Sequence, residues 1–331
     1  MVGMVLFLWH LGTERKRYMK YTELLSPEMQ QTLADAGYET PTPIQAQSLE
    51  TLLDGRDLIG IAQTGTGKTA AFAVPIIEKI NPENRKPQAL ILCPTRELAL
   101  QTTAVFKKLS QHKKMRTVSI YGGQSPHVQI QALRGGAQVV VGTPGRVKDL
   151  IGQNALKLSN IRYVVLDEAD EMLDFGFLPD IKWILSTIPD ERQMMLFSAT
   201  MSKEISGIAQ SYLTKPQTVE VGERNEPTRT VRQMSINTPE SGKITTVNFL
   251  MKETDPRLTL IFCNTRNRVK TVTKKLNDGG LASACIHGDL SQSQRNAIMR
   301  DFRAGKTPVL VATDVAARGI DVDNIDLVIN Y

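Results

Sequence analysis

Cysteine is scarce in this chain: 3 of 331 residues, at Cys93, Cys263 and Cys285. They lie far apart and are odd in number, with no CxxC pair and no Cys/His cluster. That suggests neither a disulfide framework nor a zinc site. Cys93 and Cys263 sit inside apolar runs and read as core thiols in a reducing cytosol. Long hydrophobic runs are missing as well. The opening stretch "MVGMVLFLWHLG" is too short to span a bilayer. Its positive charges follow the apolar part, the reverse of a secretory signal. Residues 1–20 are therefore expected to be a disordered or misassigned leader, with Met19 a candidate start, the alternative being a weak membrane or partner contact; no membrane is expected among the partners of the whole chain. A strong charge of one sign is absent too. Of the formal +6, the cluster "ERKRYMK" supplies +3 (Arg15, Lys16, Arg17 and Lys20 against Glu14), leaving +3 for the rest. Global charge thus does not argue for nucleic acid, and any such claim must rest on local motifs.

What is present is an ordinary globular composition, 41% hydrophobic and 22% charged. The length suggests about two domains. The runs "DLIGIA", "ALILC", "TVSIY", "QVVVG", "YVVLD" and "MMLFSA" read as strands, separated in places by helical stretches such as "TAAFAVPIIEKI" and "RELALQTTAVFKKLS". Helices of that length between strands imply a parallel α/β sheet, whose ligands bind outside the carboxyl ends of the strands. The polar stretch "VGERNEPTRT" (221–230) carries no period and reads as a linker, set at 222–229. The alternation then restarts with "TLIFC", "ASACIH", "PVLVAT" and "DLVINY", and with "TRNRVKTVTKKLN" and "SQSQRNAIMRDFRAG" as helices. The expected organisation is a first unit over 21–221 and a smaller second one over 230–331.

Two motifs carry chemistry. "AQTGTGKT" (Ala62, Gln63, Thr64, Gly65, Thr66, Gly67, Lys68, Thr69) follows a strand and opens a helix, the context of a phosphate loop, with Ala62 where the general pattern has Gly. Gly65 and Gly67 let backbone N–H groups approach phosphates at a helix N-terminus. Lys68 is placed to reach the β- and γ-phosphates of ATP and Thr69 to bind Mg²⁺. "VVLDEADEML" crowds Asp167, Glu168, Asp170 and Glu171 at the end of an apolar run. A phosphate-bound Mg²⁺ needs a carboxylate at the end of a neighbouring strand, and Asp167 is the first available. Glu168 suits the orientation or deprotonation of the attacking water, Asp170 points to a coupling role, and Glu171 reads as solvated surface. The plainer alternative is an acidic helix start.

These residues belong to an ordered series that resembles the DEAD-box RNA helicases of superfamily 2: "GYETPTPIQ" (37–45), "AQTGTGKT" (62–69), "PTRELA" (94–99), "GG" (122–123), "TPGR" (143–146), "DEAD" (167–170), "SAT" (198–200), "LIFCNTR" (260–266), "HGDLSQSQR" (287–295) and "VATDVAARGID" (311–321). The resemblance covers residue 21 to the end. It implies two tandem RecA-like parallel-sheet units that bind ATP, Mg²⁺ and single-stranded or short duplex RNA between them and unwind the duplex. It implies that Gln45 reads adenine, that Tyr21 and Tyr38 pack near the base, and that Ser198 and Thr200 bond toward Asp170. Arg96, Gly123, Thr143, Gly145 and Arg146 fall on positions that hold the RNA backbone; Arg266, Gln292, Arg295, Thr313 and Asp314 match in the second unit, and Asp321 falls where the ribose of ATP is contacted.

One departure bears on activity. The family's His-Arg-x-Gly-Arg-x-Gly-Arg run is expected shortly after "DLVINY", and the sequence ends at Tyr331. The second unit is therefore expected to be incomplete and turnover by this chain weak. The leading expectation is a monomeric, cytoplasmic, ATP-dependent RNA helicase that works with adaptor proteins. The alternatives are a truncated ATP- or RNA-binding module with little turnover and an RNA clamp in a larger complex, with a DNA translocase further off.

Overall fold

The computed structural model describes residues 23–222, 231–313, 322 and 324–331, and of Gln292 the backbone alone. Tyr21, Asp314, Asp321, the leader and nearly all of the expected linker lie outside the described residues. The chain divides into two compact units, Met1–Arg224 and Asn225–Tyr331.

In the first unit, chain order runs α1 (Pro27–Asp35), α2 (Pro43–Leu53), β1 (Leu58–Ala62), α3 (Lys68–Lys79), β2 (Ala89–Leu92), α4 (Arg96–Leu109), β3 (Thr117–Ile120), α5 (Pro126–Arg134), β4 (Val139–Gly142), α6 (Pro144–Gly152), β5 (Tyr163–Leu166), α7 (Ala169–Asp174), α8 (Leu178–Ser186), β6 (Gln193–Ser198), α9 (Lys203–Tyr212) and β7 (Gln217–Val221). The seven strands form one sheet in the order β3-β4-β2-β5-β6-β1-β7. Every neighbouring pair is parallel. The apolar runs are continuous rather than alternating because both faces are covered. Ala89 and Ile91 of β2 join the core under α1 to α4, with Phe72, Phe106 and Phe197. Leu90 and Leu92 of the same strand join the opposite core, with Ile181, Ile184 and Ile205. β7 is the exception. It is an edge strand in which only Val219 is buried, so it lacks the apolar run by which the other strands are recognised.

The second unit contains α10 (Lys243–Thr254), β8 (Thr259–Phe262), α11 (Arg266–Asp278), β9 (Ser283–Ile286), α12 (Gln292–Arg303), β10 (Val309–Ala312) and β11 (Leu327–Asn330). Its four strands pair in parallel in the order β11-β8-β10-β9. Val309 and Val311 pack with Val269, Val272 and Leu276 on one face, and Leu310 and Ala312 with Met299 and Phe302 on the other. Among the described residues no helix is long and apolar enough to cross a membrane.

Candidate active site and nucleic-acid interface

Because all seven strands run the same way, their carboxyl ends share one edge of the first sheet. On it the neighbours β5, β6 and β1 bring three motifs together. Register places Leu166 of β5 opposite Leu196 of β6, and Ser198 of β6 opposite Ile61 of β1. The acids that follow β5 and the loop that follows β1 therefore flank the Ser-Ala-Thr turn that ends β6.

The loop after β1 is built on two left-handed glycines, Gly65 at φ 79° and Gly67 at φ 88°. At Gly67 a Cβ would stand 2.5 Å from the amide nitrogen of Gln45, so the position needs glycine twice over. Lys68 opens α3, is buried, and donates its Nζ to the carbonyl of Ala62 at 2.8 Å. The Thr66 hydroxyl donates to the carbonyl of Gln63 at 2.8 Å. Gln45 ties the loop to α2. Its Nε2 donates to the carbonyl of Gly67 at 3.1 Å, and its Oε1 accepts the N–H of Thr42, the N-cap of α2, at 3.0 Å. Tyr38 packs against the core, with Lys108 lying 5.6 Å from its ring centroid.

Asp167 follows β5 and is only 2% exposed. Its N–H donates to the carbonyl of Leu92 at 2.9 Å, which holds it in line with the strand. Burial pushes its carboxyl up to about 6, against the pull of the Lys68 ammonium. Its Oδ1 is buried with no hydrogen-bond partner. An orphaned carboxylate oxygen is costly unless a cation or donor completes it. Glu168 takes a left-handed conformation at φ 53° and N-caps α7. Burial, and then the neighbouring Asp167, raise its carboxyl to about 7. Asp170 is a hub: its Oδ2 accepts the N–H groups of Ala199 and Thr200 at 3.1 and 3.0 Å and the Thr200 hydroxyl at 3.2 Å, while its own N–H donates to Ser198 Oγ at 3.3 Å. Glu171 is half-buried rather than solvated. Among the described residues no group of three or more His, Cys, Asp or Glu could cage a metal by itself. The donors suit Mg²⁺, which keeps waters and takes one or two carboxylates plus substrate phosphates. Asp167 and Thr69 would hold it.

The other half of the edge belongs to β2, β4 and β3. Thr95 caps α4 by accepting the Leu98 N–H at 3.2 Å and so sets Arg96 in the first helical position. The Arg96 guanidinium lies 4.4 Å from the ring centroid of Tyr121, and its Nε and Nη1 are buried without hydrogen-bond partners. Gly123 sits at φ 76° with open space where a Cβ would be. Thr143 donates its N–H to the carbonyl of Ile120 at 3.1 Å and precedes α6, which contains Gly145 and Arg146. Arg146 donates to the Gln124 carbonyl and to Gln129 Oε1, each at 3.1 Å. Two helix N-termini, unpartnered guanidinium donors and open glycine backbone together form a surface suited to phosphate oxygens.

Tyr121, Gln124 and Gln129 support this surface and escaped the sequence reading. Tyr121 adjoins "GG", which was the available signal. Gln129 is a buried amide on a helix that meets Arg146 across 17 residues, and nothing in a local pattern marks it.

In the second unit Arg266 opens α11 behind the Thr265 cap, and its Nη1 meets Asp289 Oδ1 at 2.6 Å. Arg295 lies in α12, which starts with a Ser291–Gln294 capping box. Thr313 follows β10.

Residues 42–208 match the model of the DEAD/DEAH box helicase family and residues 242–331 that of the helicase conserved C-terminal domain. The chain is 45% identical over 314 residues to the DEAD-box ATP-dependent RNA helicase CshA of Streptococcus pneumoniae serotype 4, covering 95% of this chain and 60% of the relative. It is 44% identical over 307 residues to CshA of Bacillus subtilis, covering 93% and 62%. The chain thus spans about 60% of the length of these curated relatives. Among solved structures, a DEAD box protein from Methanococcus jannaschii aligns at 39% identity and TM-score 0.58, covering 93% of this chain and 83% of that one. Dbp5 of S. cerevisiae bound to RNA and ADP BeF3 aligns at 32% identity and TM-score 0.83, covering 94% and 80%.

Proposed function

Since the chain belongs to the DEAD/DEAH box helicase family, we propose that it is an RNA helicase, binding ATP·Mg²⁺ and RNA and using hydrolysis to separate and release short duplexes. The observation that carries this reading is the pair of acids at the end of β5, Asp167 buried and Glu168 half-buried. Asp167 leaves one carboxylate oxygen open beside the Lys68 ammonium, and Glu168 is held near neutrality next to it. The phosphate-loop amides and Lys68 cradle the β- and γ-phosphates, for which Lys68 exchanges its bond to Ala62. Gln45 and Tyr38 take the adenine side. Asp167 and Thr69 would hold Mg²⁺, which would supply charge neutralisation at the phosphates. Glu168 accepts the proton of the attacking water, a task suited to a carboxyl titrating close to the working pH. Asp170, through Ser198 and Thr200, passes the state of the phosphate site to the turn that ends β6. Arg96, Gly123, Thr143, Gly145 and Arg146 hold RNA phosphates in the first unit, and Arg266, Gln292, Arg295 and Thr313 do so in the second, with Asp314 accepting from RNA hydroxyls and Asp321 on the ribose of ATP.

Turnover is measured throughout with the family's arginine run appended, for the wild type and each variant alike, and Glu168→Gln tests the assignment. The amide keeps the shape of the site but accepts no proton, so ATP affinity is expected to stay within about twofold while RNA-stimulated turnover falls about 10²- to 10⁴-fold. Unchanged turnover in the variant, measured by phosphate release, contradicts the assignment.

A further inference from the structure

A second feature of the first unit lies beside its outer strand. From Leu98 to Lys148 the chain holds no Asp or Glu but 8 Lys and Arg, a formal +8 where the whole chain is +6, which leaves −2 for the remainder. This acid-free segment includes β3, which has one neighbour, β4, and so leaves an open edge. Along that edge runs a groove of about 470 Å³, lined among others by Lys107, Arg116, Thr117, Ser119, Gln124 and Val128.

Its wall is polar by construction. Val139 and Thr143 donate their N–H groups to the carbonyls of Arg116 and Ile120, at 3.2 and 3.1 Å, so the even-numbered residues of β3 face β4. Thr117 and Ser119 then turn their N–H and C=O groups outward. The neighbouring pair on Tyr121 is closed off, because Gln129 Nε2 donates to its carbonyl at 3.0 Å and Gln129 Oε1 accepts its N–H at 3.2 Å. Thr117 is 8% exposed and its hydroxyl has no hydrogen-bond partner. Lysine, arginine, hydroxyls and outward backbone N–H groups are the donors that phosphate oxygens take. The groove also continues the proposed interface: Gln124 lines it and gives its carbonyl to Arg146.

We propose that this groove binds further phosphodiester units of the same nucleic-acid strand, carrying it off the carboxyl edge and along the outside of β3 between Lys107 and Arg116. The inference rests on the reading of Arg96 and Arg146 as phosphate-binding groups. A peptide strand added to the β3 edge is the competing occupant, but backbone pairing gives no reason for a lining that holds Lys107 and Arg116 and no acid.

The test is fluorescence anisotropy of the whole chain with single-stranded oligouridylates from about 4 to about 16 nucleotides. Affinity is expected to rise about tenfold between the short and long ends of the series. Lys107→Glu combined with Arg116→Gln is expected to abolish that rise while leaving the shortest binding oligonucleotide within about twofold. The slope of log affinity against log salt should fall by about 1.4 for the long oligonucleotide, about 0.7 for each lost phosphate contact. Arg116 also donates to the carbonyl of Gly135. If the double variant unfolds, the exposed Lys107→Glu alone decides, with half the change in slope. Long oligonucleotides binding no tighter than short ones, or variants weakening both alike, overturn the proposal and leave the edge to a peptide. Failure of Arg96→Ala to weaken the shortest oligonucleotide instead overturns the underlying reading, so the two failures are distinguishable.

Discussion

On β5, β6 and β1 the carboxyl edge of the first sheet ends in acids and a phosphate loop; on β2, β4 and β3 it ends in arginine, glycine and threonine. The two halves share one sheet and one strand direction, yet they stand differently toward a ligand. In the nucleotide half the donors are already bonded within the protein, Lys68 to Ala62, Thr66 to Gln63, Gln45 to Gly67 and Thr200 to Asp170, while the acceptor Asp167 Oδ1 stays open. A nucleotide entering there exchanges internal bonds for its own, so the net gain per bond is small. In the proposed RNA half Arg96 keeps two buried nitrogens without hydrogen-bond partners, so a phosphate that reaches them would add bonds without breaking any. The first half holds its donors in internal bonds and leaves an acceptor for a cation, and the second leaves donors for an anion.

Lys68→Ala is expected to have the largest effect. Removing the ammonium that faces the phosphates should lower ATP turnover by at least about 10³-fold, the scale on which charge stabilisation acts in phosphoryl transfer. RNA affinity without nucleotide should be unchanged, because no RNA-half residue leans on Lys68. Loss of both functions in a folded variant would merge the two halves.

The next effect belongs to the RNA half. Arg96→Ala removes charged donors, each hydrogen bond to a charged group being worth about 1.5–3 kcal/mol, so RNA affinity should fall roughly 10- to 100-fold. ATP affinity measured on the same sample should hold within about twofold. An equal loss of both would deny the separation.

How far this division was legible beforehand depends on the range over which each residue acts. The strands after residue 50 could be read because a parallel strand buried on both faces must be apolar throughout, as in Ala89–Leu92 and Val139–Gly142. β7 could not, since its alternation is mostly exposed. The phosphate loop and the acids are local demands of backbone and charge and stand out in a few letters. The supports do not. Gln45 meets Gly67 across 22 residues and Gln129 meets Arg146 across 17, and pairings of that kind exist only once the sheet is assembled. Arg96 was recognisable by its motif, but its stack on Tyr121 and its unpaired nitrogens were not.

A smaller effect concerns stability. Burial raises the folded-state carboxyls of Asp167 and Glu168 above their ordinary values of 3.8 and 4.5, to about 6 and about 7. The folded state therefore binds more protons than the unfolded chain across that window, and stability falls as pH rises through it. Asp167→Asn removes one of the two ionisations. Its thermal midpoint should exceed that of the wild type at about pH 8, with a free-energy gain on the order of 2 kcal/mol, and match it near pH 4. A lower midpoint at both pH values would contradict the account of the buried acid. Smaller still, Gln129→Ala should loosen Arg146 and weaken RNA binding about two- to fivefold, the loss of one modest hydrogen bond. An unaltered affinity would show that Arg146 needs no such support.

The central claim is that burial at the end of β5 holds Glu168 near neutrality so that it serves as the base of hydrolysis. The most direct test is the pH dependence of RNA-stimulated turnover at sub-saturating ATP (kcat/KM), which reports ionisations of the protein before nucleotide binds, for the wild type and for Glu168→Gln. The account predicts turnover that climbs with pH through an apparent ionisation near 7 in the wild type, and a low, flat profile in the variant. An inflection at the ordinary glutamate value of 4.5, or the same rising limb in both proteins, would contradict it.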